Sequence, residues 1–244
     1  MSDNLLNKII EKKKRGKKLF AVLIDPEKCY GERLLMFLSL VNKAKPDFIF
    51  VGGSKVEKPI DEVVLTIKSH SKIPLVLFLG DAAQFSPSAD ALLFLSLISG
   101  RNPDFLIGQH VKYSQKIRQS SIETVPVGYI LIDGEKISAV EKVSKTAPLS
   151  DIDEIISTAI AGELLGNQLI YLEAGSGAKN PVNQNIISKV RENISIPLIV
   201  GGGICSEKTI ENTLKAGADI VVVGNYLEKH PEKVLDFAKI ITNY

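Results

Sequence analysis

Eight short apolar runs recur along the chain, and this repetition constrains the fold more than any other feature. Each run is rich in Val, Ile, Leu or Phe and shows little alternation of apolar and polar residues. Continuous apolar runs of this kind are typical of parallel strands that are buried on both faces. The runs cover residues 19–24, 48–51, 75–79, 91–95, 127–132, 169–173, 198–200 and 219–223.

Helical patterns separate most of these runs. Another helix, with Leu5, Leu6, Ile9 and Ile10 on one side, is expected before the first strand. Eight strands that alternate with helices in a chain of 244 residues predict one (β/α)₈ barrel domain over 1–244. A doubly wound open sheet is the alternative, but no Gly-x-Gly-x-x-Gly motif follows the first strand. The predicted helices cover residues 3–14, 31–44, 58–69, 151–165, 206–216 and 231–241.

Two segments depart from this alternation. Residues 80–90 hold a glycine and a proline and show no helical face, so the third crossover helix is expected to be missing or reduced to one turn. Residues 133–149 are polar and follow the fifth strand, which predicts an inserted loop or small hairpin.

Charge and composition narrow the classes of function. The net charge is +2, but six of the 30 basic residues lie between 12 and 18, so the rest of the chain is slightly acidic. A basic nucleic-acid surface over the whole domain is therefore not expected. The basic run is interpreted as a solvated helix end or as a contact for anionic lipid or substrate.

The sequence predicts a cytoplasmic protein with at most transient membrane contact. It has two cysteines, no signal peptide and no apolar run near membrane-spanning length.

Glycines follow three consecutive late strands of the predicted barrel. The loops after strands seven and eight usually bind phosphate in this fold, because glycine lets backbone N–H groups approach the anion closely. Tight turns alone are the alternative explanation. The segments concerned are 175–177, 201–203 and 224–225, and Ser176 adds a hydroxyl donor.

Carboxylates at other strand ends suggest the chemistry. Asp25, with Ser54 on the next strand, forms a pair that suits Mg²⁺ completed by substrate oxygens, although Asp25 could instead cap its turn. Glu173 should face the barrel mouth, where it binds or activates a hydroxyl or forms a structural ion pair. Tyr171 shares its face of the strand. The three histidines are interpreted as surface residues, and Cys29 and Cys205 as small packed residues.

Several strings of residues together resemble the geranylgeranylglyceryl phosphate synthase family, including its heptaprenylglyceryl phosphate relatives. The first and third of these strings are the specific ones, and the resemblance is greatest to the archaeal and Bacteroidetes-type group. The strings are Ala-Val-Leu-Ile-Asp-Pro-Glu-Lys (21–28), Phe-Val-Gly-Gly-Ser (50–54), Tyr-Leu-Glu-Ala-Gly-Ser-Gly (171–177), Val-Gly-Gly-Gly-Ile (200–204) and Val-Val-Gly-Asn (222–225).

The resemblance implies transfer of an isoprenoid chain, with geranylgeranyl diphosphate as the expected donor, to the 3-hydroxyl of sn-glycerol 1-phosphate. It implies Mg²⁺ at Asp25 and Ser54, and an assembly of several subunits. One departure is Leu79-Gly80-Asp81, where the resemblance leads us to expect proline before the glycine. The shape of the third loop and a role of Asp81 with diphosphate are therefore left open. The residues implied to bind glycerol phosphate are Tyr171, Leu172, Glu173, Ala174, Gly175, Ser176, Gly177, Gly202, Gly203, Gly224 and Asn225.

A long prenyl tail needs a dry groove, and the missing helix at 80–90 would provide one. We expect the tail to leave between strands three and four along Phe85, Leu92 and Phe94, with Phe105 flanking them; a loop packed shut is the alternative.

Two other functions compete with prenyl transfer as explanations of this sequence. A sugar-phosphate isomerase of the histidine-pathway type would need an acid–base pair at the ends of strands one and five, where Asp25 and Asp133 lie. A non-catalytic phosphate-binding barrel is the third hypothesis.

Overall fold

A computed structural model of the chain describes residues 4–53, 60–80 and 84–244. Eight parallel strands pair in sequence order, and β8 pairs with β1, so the sheet closes into the predicted barrel. The strands are β1 (Leu19–Ile24), β2 (Phe48–Val51), β3 (Leu75–Phe78), β4 (Ala91–Leu97), β5 (Glu123–Leu131), β6 (Leu169–Glu173), β7 (Leu198–Gly201) and β8 (Ile220–Val223). The main difference from the sequence prediction is β5, which begins four residues earlier.

Helices surround the barrel, and those predicted from the sequence begin and end within two residues of their expected bounds. They are α1 (Leu5–Lys14), α2 (Gly31–Ala44), α3 (Ile60–His70), α4 (Gln109–Ser120), α5 (Ala139–Ser144), α6 (Ile152–Leu164), α7 (Gln184–Asn193), α8 (Glu207–Lys215), α9 (Asn225–Lys229) and α10 (Lys233–Thr242). A π-helical turn, Asp104–Gly108, leads into α4. No described helix is both long and apolar enough to cross a membrane.

The side chains form two apolar layers, because successive residues of a strand point to opposite faces. Inward residues such as Phe50 and Val76 fill the barrel, and outward residues such as Ile49 and Leu77 pack against the helices. Helix α1 covers the N-terminal end of the barrel and buries Leu5 and Ile9 there. These two layers supply most of the burial that stabilises the fold.

The N-terminus of α1 is held by another part of the chain. The Glu123 carboxylate, at the start of β5, accepts the backbone N–H groups of Leu5 and Leu6 at 2.6 and 2.9 Å. Asn4 caps the same helix by accepting the N–H of Asn7 at 2.9 Å. These acceptors satisfy donors that a helix end leaves unpaired. The predicted extra N-terminal helix is thus fixed in place over the N-terminal end of the barrel.

Both departures from the alternation are present. Between β3 and β4, the described residues 79–80 and 84–90 contain no α-helix, which confirms that the third crossover helix is missing or reduced to one turn. In 133–149 no hairpin forms among the described residues; instead α5 folds there, opened by a capping box of Ser138 and Glu141. An isolated parallel bridge between Ile132 and Leu149 closes this insertion at its base.

Candidate active site

A cavity of about 490 Å³ lies at the C-terminal end of the barrel. The strand-end residues proposed from sequence meet around it, because parallel strands place all their C-terminal ends at one edge. The predicted site residues that line the cavity are Asp25, Tyr171, Glu173, Ser176, Gly177, Gly202, Gly203, Gly224 and Asn225. Ser54, the second predicted metal ligand, lies outside the described residues, as does Asp81.

Three loops converge on one side of this cavity. The Asn225 side-chain amide donates to the Ser176 hydroxyl at 2.5 Å, which joins the loop after β6 to the start of α9. A Cβ on Gly177 would lie 3.7 Å from the Asn225 amide nitrogen and 3.8 Å from the Lys136 ammonium nitrogen. Polar donors and small residues are thus gathered where the sequence predicted a phosphate site.

Gly202 is required by this packing. A Cβ there would lie 2.4 Å from Glu173 Oε1 and 2.7 Å from the backbone nitrogen of Ala174, and the φ of +84° is unfavourable for residues with a side chain. The glycine therefore allows the β7 loop to approach Glu173 and the loop that follows it.

Glu173 ends β6 and points into the barrel mouth. Its Oε1 accepts the N–H of Gly175 at 2.8 Å, and only 6% of the residue is exposed. Burial raises the pKa of this carboxyl to about 6, because it outweighs the lowering of the pKa by hydrogen bonds to the carboxylate. No ion pair forms between Glu173 and any described residue, so the structure does not support a structural ion pair. A carboxylate with this pKa is ionised at neutral pH and more basic than an ordinary glutamate.

An aromatic floor lies beneath Glu173. The ring of Tyr171 packs edge-on against those of Tyr129 and Phe78, with centroids 5.2 and 5.5 Å away. The Tyr171 hydroxyl is buried and makes no well-aligned hydrogen bond within the described residues. Burial, together with the nearby Glu173 carboxylate, raises its pKa well above the usual value, so the hydroxyl stays protonated and able to donate.

Asp25 lies across the mouth and is held in a turn. Its Oδ1 accepts the N–H of Glu27 at 3.0 Å, so the capping role considered from sequence is real. Its Oδ2 accepts from the Lys28 ammonium group at 2.6 Å. Among the described residues, no three His, Cys, Asp or Glu side chains cluster as a metal-ion site. Asp25 therefore lines the open cavity without belonging to a cluster of three or more such side chains among the described residues.

Two further residues around Asp25 were missed by the sequence analysis. Lys28 also donates to Asn225 Oδ1 at 3.0 Å, and it thereby connects Asp25 to the predicted phosphate side. The buried Glu228, in α9, accepts the backbone N–H of Asp25 at 3.0 Å, and burial raises its pKa. Lys28 lies in the conspicuous first sequence string and could have been found; Glu228 has no sequence signal, because only the fold brings α9 to β1.

An apolar cleft adjoins the cavity on the side of the missing helix. The predicted groove residues Phe85, Leu92 and Phe94 line it, and Phe105 lies with them. The cleft and the cavity share four lining residues, so they form one continuous concave surface. The shared residues are Gly53, Phe78, Tyr129 and Val140. Helix α5 supplies Val140, so the polar insertion builds a wall of the junction.

Some sequence interpretations need correction. Leu172 and Ala174 face the helix layer rather than the cavity, as strand alternation requires, so their side chains cannot contact a ligand there. His110 is not a surface residue: it is buried against Phe94 beside the cleft, and burial lowers its pKa. Cys205 is exposed at the cavity rather than packed, whereas Cys29 is buried as expected.

Comparison with known proteins decides the family. Residues 7–241 match the PcrB family. The chain belongs to the PcrB family. Geranylgeranylglyceryl phosphate synthase of Flavobacterium johnsoniae is 48% identical over 90% of this chain and 92% of its own. The enzyme of that name from the archaeon Picrophilus torridus is 38% identical over 91% and 92% of the two chains. The resemblance seen in the sequence strings is thereby confirmed.

The fold of this PcrB family member agrees with a solved relative. A geranylgeranylglyceryl phosphate synthase from Thermoplasma acidophilum, solved in complex with sn-glycerol-1-phosphate, superimposes with a TM-score of 0.93 at 29% identity. The alignment covers 99% of both chains. An aldolase from Escherichia coli, 13% identical with a TM-score of 0.60, shares the fold alone. The chain is thus a barrel enzyme of the prenyltransferase class, which excludes the non-catalytic hypothesis.

Proposed function

We propose that the protein joins the isoprenoid chain of geranylgeranyl diphosphate to the 3-hydroxyl of sn-glycerol 1-phosphate in a Mg²⁺-dependent reaction that releases diphosphate. One observation carries the proposal: Glu173, Asp25 and the glycine loops line one cavity that continues into an apolar cleft. This combination suits one small phosphorylated substrate and one substrate with a long apolar tail.

The glycerol phosphate is proposed to bind at the convergent loops. Ser176 and Asn225 supply polar side chains there, and Gly202 and Gly203 leave their backbone accessible. The Lys28 ammonium group donates to the Asn225 side chain, so it brings a positive charge to the edge of the same region. The bound sn-glycerol-1-phosphate of the Thermoplasma acidophilum enzyme supports this substrate.

A magnesium ion fits the donors around Asp25. This cation keeps several waters and usually takes one or two protein carboxylates together with substrate phosphate oxygens, and Asp25 supplies a carboxylate at the open mouth. Ser54 is the proposed second ligand. When bound, the ion would neutralise charge that develops on the departing diphosphate. Lys28, which contacts Asp25 directly, is placed to add a second positive charge beside the diphosphate.

Glu173 is proposed to accept the proton of the attacking hydroxyl. In the reaction, the glycerol oxygen forms a bond to the allylic carbon while the carbon–oxygen bond to diphosphate breaks, and the hydroxyl proton passes to the Glu173 carboxylate. Anchoring the phosphate at the loops holds the hydroxyl beside Glu173, so the attack is effectively intramolecular. The Tyr171 hydroxyl lies beside the Glu173 carboxylate and stays protonated, so it is placed to donate to that carboxylate or to the glycerol hydroxyl.

The isomerase alternative lacks its catalytic pair. Asp133 is exposed, accepts the N–H of Glu135 at 2.8 Å, and lines a separate polar cleft beside Asn180 and Thr209. Asp25 lines the main cavity instead. The two carboxylates that such an enzyme would need are therefore not brought to one site.

The direct test is to incubate the protein with labelled sn-glycerol 1-phosphate, Mg²⁺ and a series of prenyl diphosphates. We expect product that butanol extracts, formed most rapidly with geranylgeranyl diphosphate and lost when EDTA is added. The enantiomer, sn-glycerol 3-phosphate, is the control for the acceptor. Failure to form product with any donor would refute the proposal.

A further inference from the structure

The basic run of residues 12–18 lies at the end of the barrel opposite the active site. It forms the last turn of α1 and the loop that enters β1, and it contains the exposed Lys14 and Lys17. The proposed chemistry uses none of these charges. Their placement at the N-terminal ends of the strands calls for a separate explanation.

Other elements bring further cations to the same end. Helices return down the outside of a parallel barrel, so their C-terminal ends lie beside the N-terminal ends of the strands. Lys43, Lys45, Lys72 and Arg118 occupy such ends or the loops after them, and all four are exposed. We define the basic face as these four residues with Lys14 and Lys17. None of the six forms an ion pair with another residue in the described part of the chain.

Two leucines project from this end of the molecule. Leu164 and Leu165, at the end of α6, are 82% and 80% exposed. They adjoin the basic run through a short series of contacts: Lys13 donates to the backbone oxygen of Ser195, and the Ser195 N–H donates to the neighbouring Glu163 at 3.0 Å. Adjacent leucines exposed to this degree are costly in water unless a partner covers them.

The apolar cleft points toward the same end. It begins at the mouth, at Phe78 and Gly80, and continues to Leu92, the second residue of β4, and Ile117, near the C-terminus of α4. Its far part therefore lies towards the basic face, between the elements that carry Lys72 and Arg118. A long apolar chain laid in the cleft would extend in that direction.

We propose that the basic face binds the surface of a bilayer containing anionic lipids, with Leu164 and Leu165 inserted at the level of the headgroups. Lys and Arg side chains close to such a surface are attracted by its negative potential, and exposed apolar side chains add insertion energy. Paired leucines are of little use for binding nucleic acid, where aromatic and polar contacts dominate. A membrane therefore fits this combination of charge and apolar surface.

Docking in this orientation would leave the catalytic mouth facing the aqueous phase, where glycerol phosphate is dissolved. The far end of the cleft would lie closest to the lipid. A long prenyl chain could then pass between the cleft and the bilayer without crossing water. This consequence rests on the proposed function, whereas the docking surface itself is defined by the charges and leucines alone.

The test is sedimentation with vesicles, which requires no turnover. Wild-type protein should bind vesicles of phosphatidylglycerol and phosphatidylcholine, should not bind vesicles of phosphatidylcholine alone, and should be released at about 0.5 M NaCl, where charges are strongly screened. The double variant Lys14→Glu/Lys17→Glu should bind at least about tenfold more weakly. Leu164→Ser/Leu165→Ser should weaken binding several-fold, and the remaining binding should be released at a lower NaCl concentration than that of the wild type.

The matched control is Lys142→Glu/Lys208→Glu, which makes the same charge change on exposed residues near the mouth. It should bind vesicles like the wild type, and circular dichroism should show that all variants are folded. Absence of wild-type binding to anionic vesicles would refute the proposal. So would equal loss in the control, or binding of duplex DNA as tight as that of vesicles at equal phosphate concentration. Normal vesicle binding without prenyl transfer would instead count against the proposed function alone.

Discussion

The Lys28 ammonium group donates to Asn225 Oδ1 at 3.0 Å and so connects the end of β1 to the start of α9. Its second bond, to Asp25, places one positive charge between the proposed sites of the two phosphorylated substrates. We therefore expect Lys28→Gln to raise the KM for glycerol phosphate and for prenyl diphosphate by about 10- to 100-fold each, the usual effect of losing a charged hydrogen bond. Steady-state kinetics with each substrate varied in turn measures this. A rise in only one KM would restrict Lys28 to one site.

Glu173→Gln should lower kcat by about 10²–10⁴-fold, because the amide keeps the shape but cannot accept the hydroxyl proton. In the wild type, kcat/KM should fall on the acid side with an apparent pKa of about 6, since protonation of Glu173 removes the base. The matched control is Asp133→Asn, an equivalent change outside the cavity, which should leave the rate unchanged. A Glu173→Gln rate within about threefold of wild type would eliminate Glu173 as the base.

The same substitution should stabilise the fold. The folded-state pKa of Glu173 lies above its ordinary value, so wild-type stability decreases as pH rises from about 4.5 to about 6. The loss amounts to about 2 kcal/mol once the carboxyl is ionised in both states. At pH 8, Glu173→Gln should therefore have a Tm a few degrees higher than wild type, and at pH 4 the difference should nearly vanish. Thermal melts at both pH values test this, and a lower Tm at pH 8 would contradict it.

Asp25→Asn should abolish turnover and leave glycerol phosphate binding nearly intact. The proposed metal ligand is lost, but the single asparagine oxygen can still accept the N–H of Glu27, which keeps the turn. Lys28 loses its bond to the second carboxylate oxygen and keeps its bond to Asn225. Isothermal titration with sn-glycerol 1-phosphate, alongside assays across a range of Mg²⁺ concentrations, measures both effects. Near wild-type turnover at limiting Mg²⁺ would show that Asp25 does not hold the ion.

A charge introduced into the apolar cleft should weaken the binding of one substrate only. Phe85→Asp places a carboxylate at a half-buried position, where it should greatly weaken binding of prenyl diphosphate while affinity for glycerol phosphate is retained. Leu92 is fully buried, so Phe85 is the better choice for a folded variant. Val111→Asp, on the exposed side of α4, is the control. Equal loss of both substrates, or of neither, would mean that the tail leaves by another route.

The barrel and most of its mouth could be predicted from the sequence, because both follow from local patterns. Buried parallel strands require continuous apolar runs, and strand ends are marked by glycines and by residues such as Asp25 and Glu173. Once the strands are placed, closure brings their ends together without further information. The missing crossover was visible for the same reason, since residues 80–90 show no helical face.

The features that could not be predicted depend on contacts between distant segments. Glu228 contacts Asp25 only because β8 pairs with β1, since Asp25 and Glu228 are 203 residues apart in sequence. His110 was interpreted as a surface residue because it lies in a helix away from the strand ends, yet it is buried and lines the cleft beside the gap before β4. Side-chain burial within a polar helix is set by tertiary packing, which a single sequence does not encode locally.

The missing helix between β3 and β4 has a consequence for how the fold tolerates change. A closed sheet has no edge strand, and β3 and β4 remain hydrogen-bonded to their neighbours on both sides. Removing a covering element therefore uncovers side chains but no row of free backbone donors and acceptors, so it creates no template for strand-by-strand aggregation. Insertions and deletions at this position can reshape the outer surface while the hydrogen-bonded ring stays intact, a freedom that an open sheet does not have at its margins.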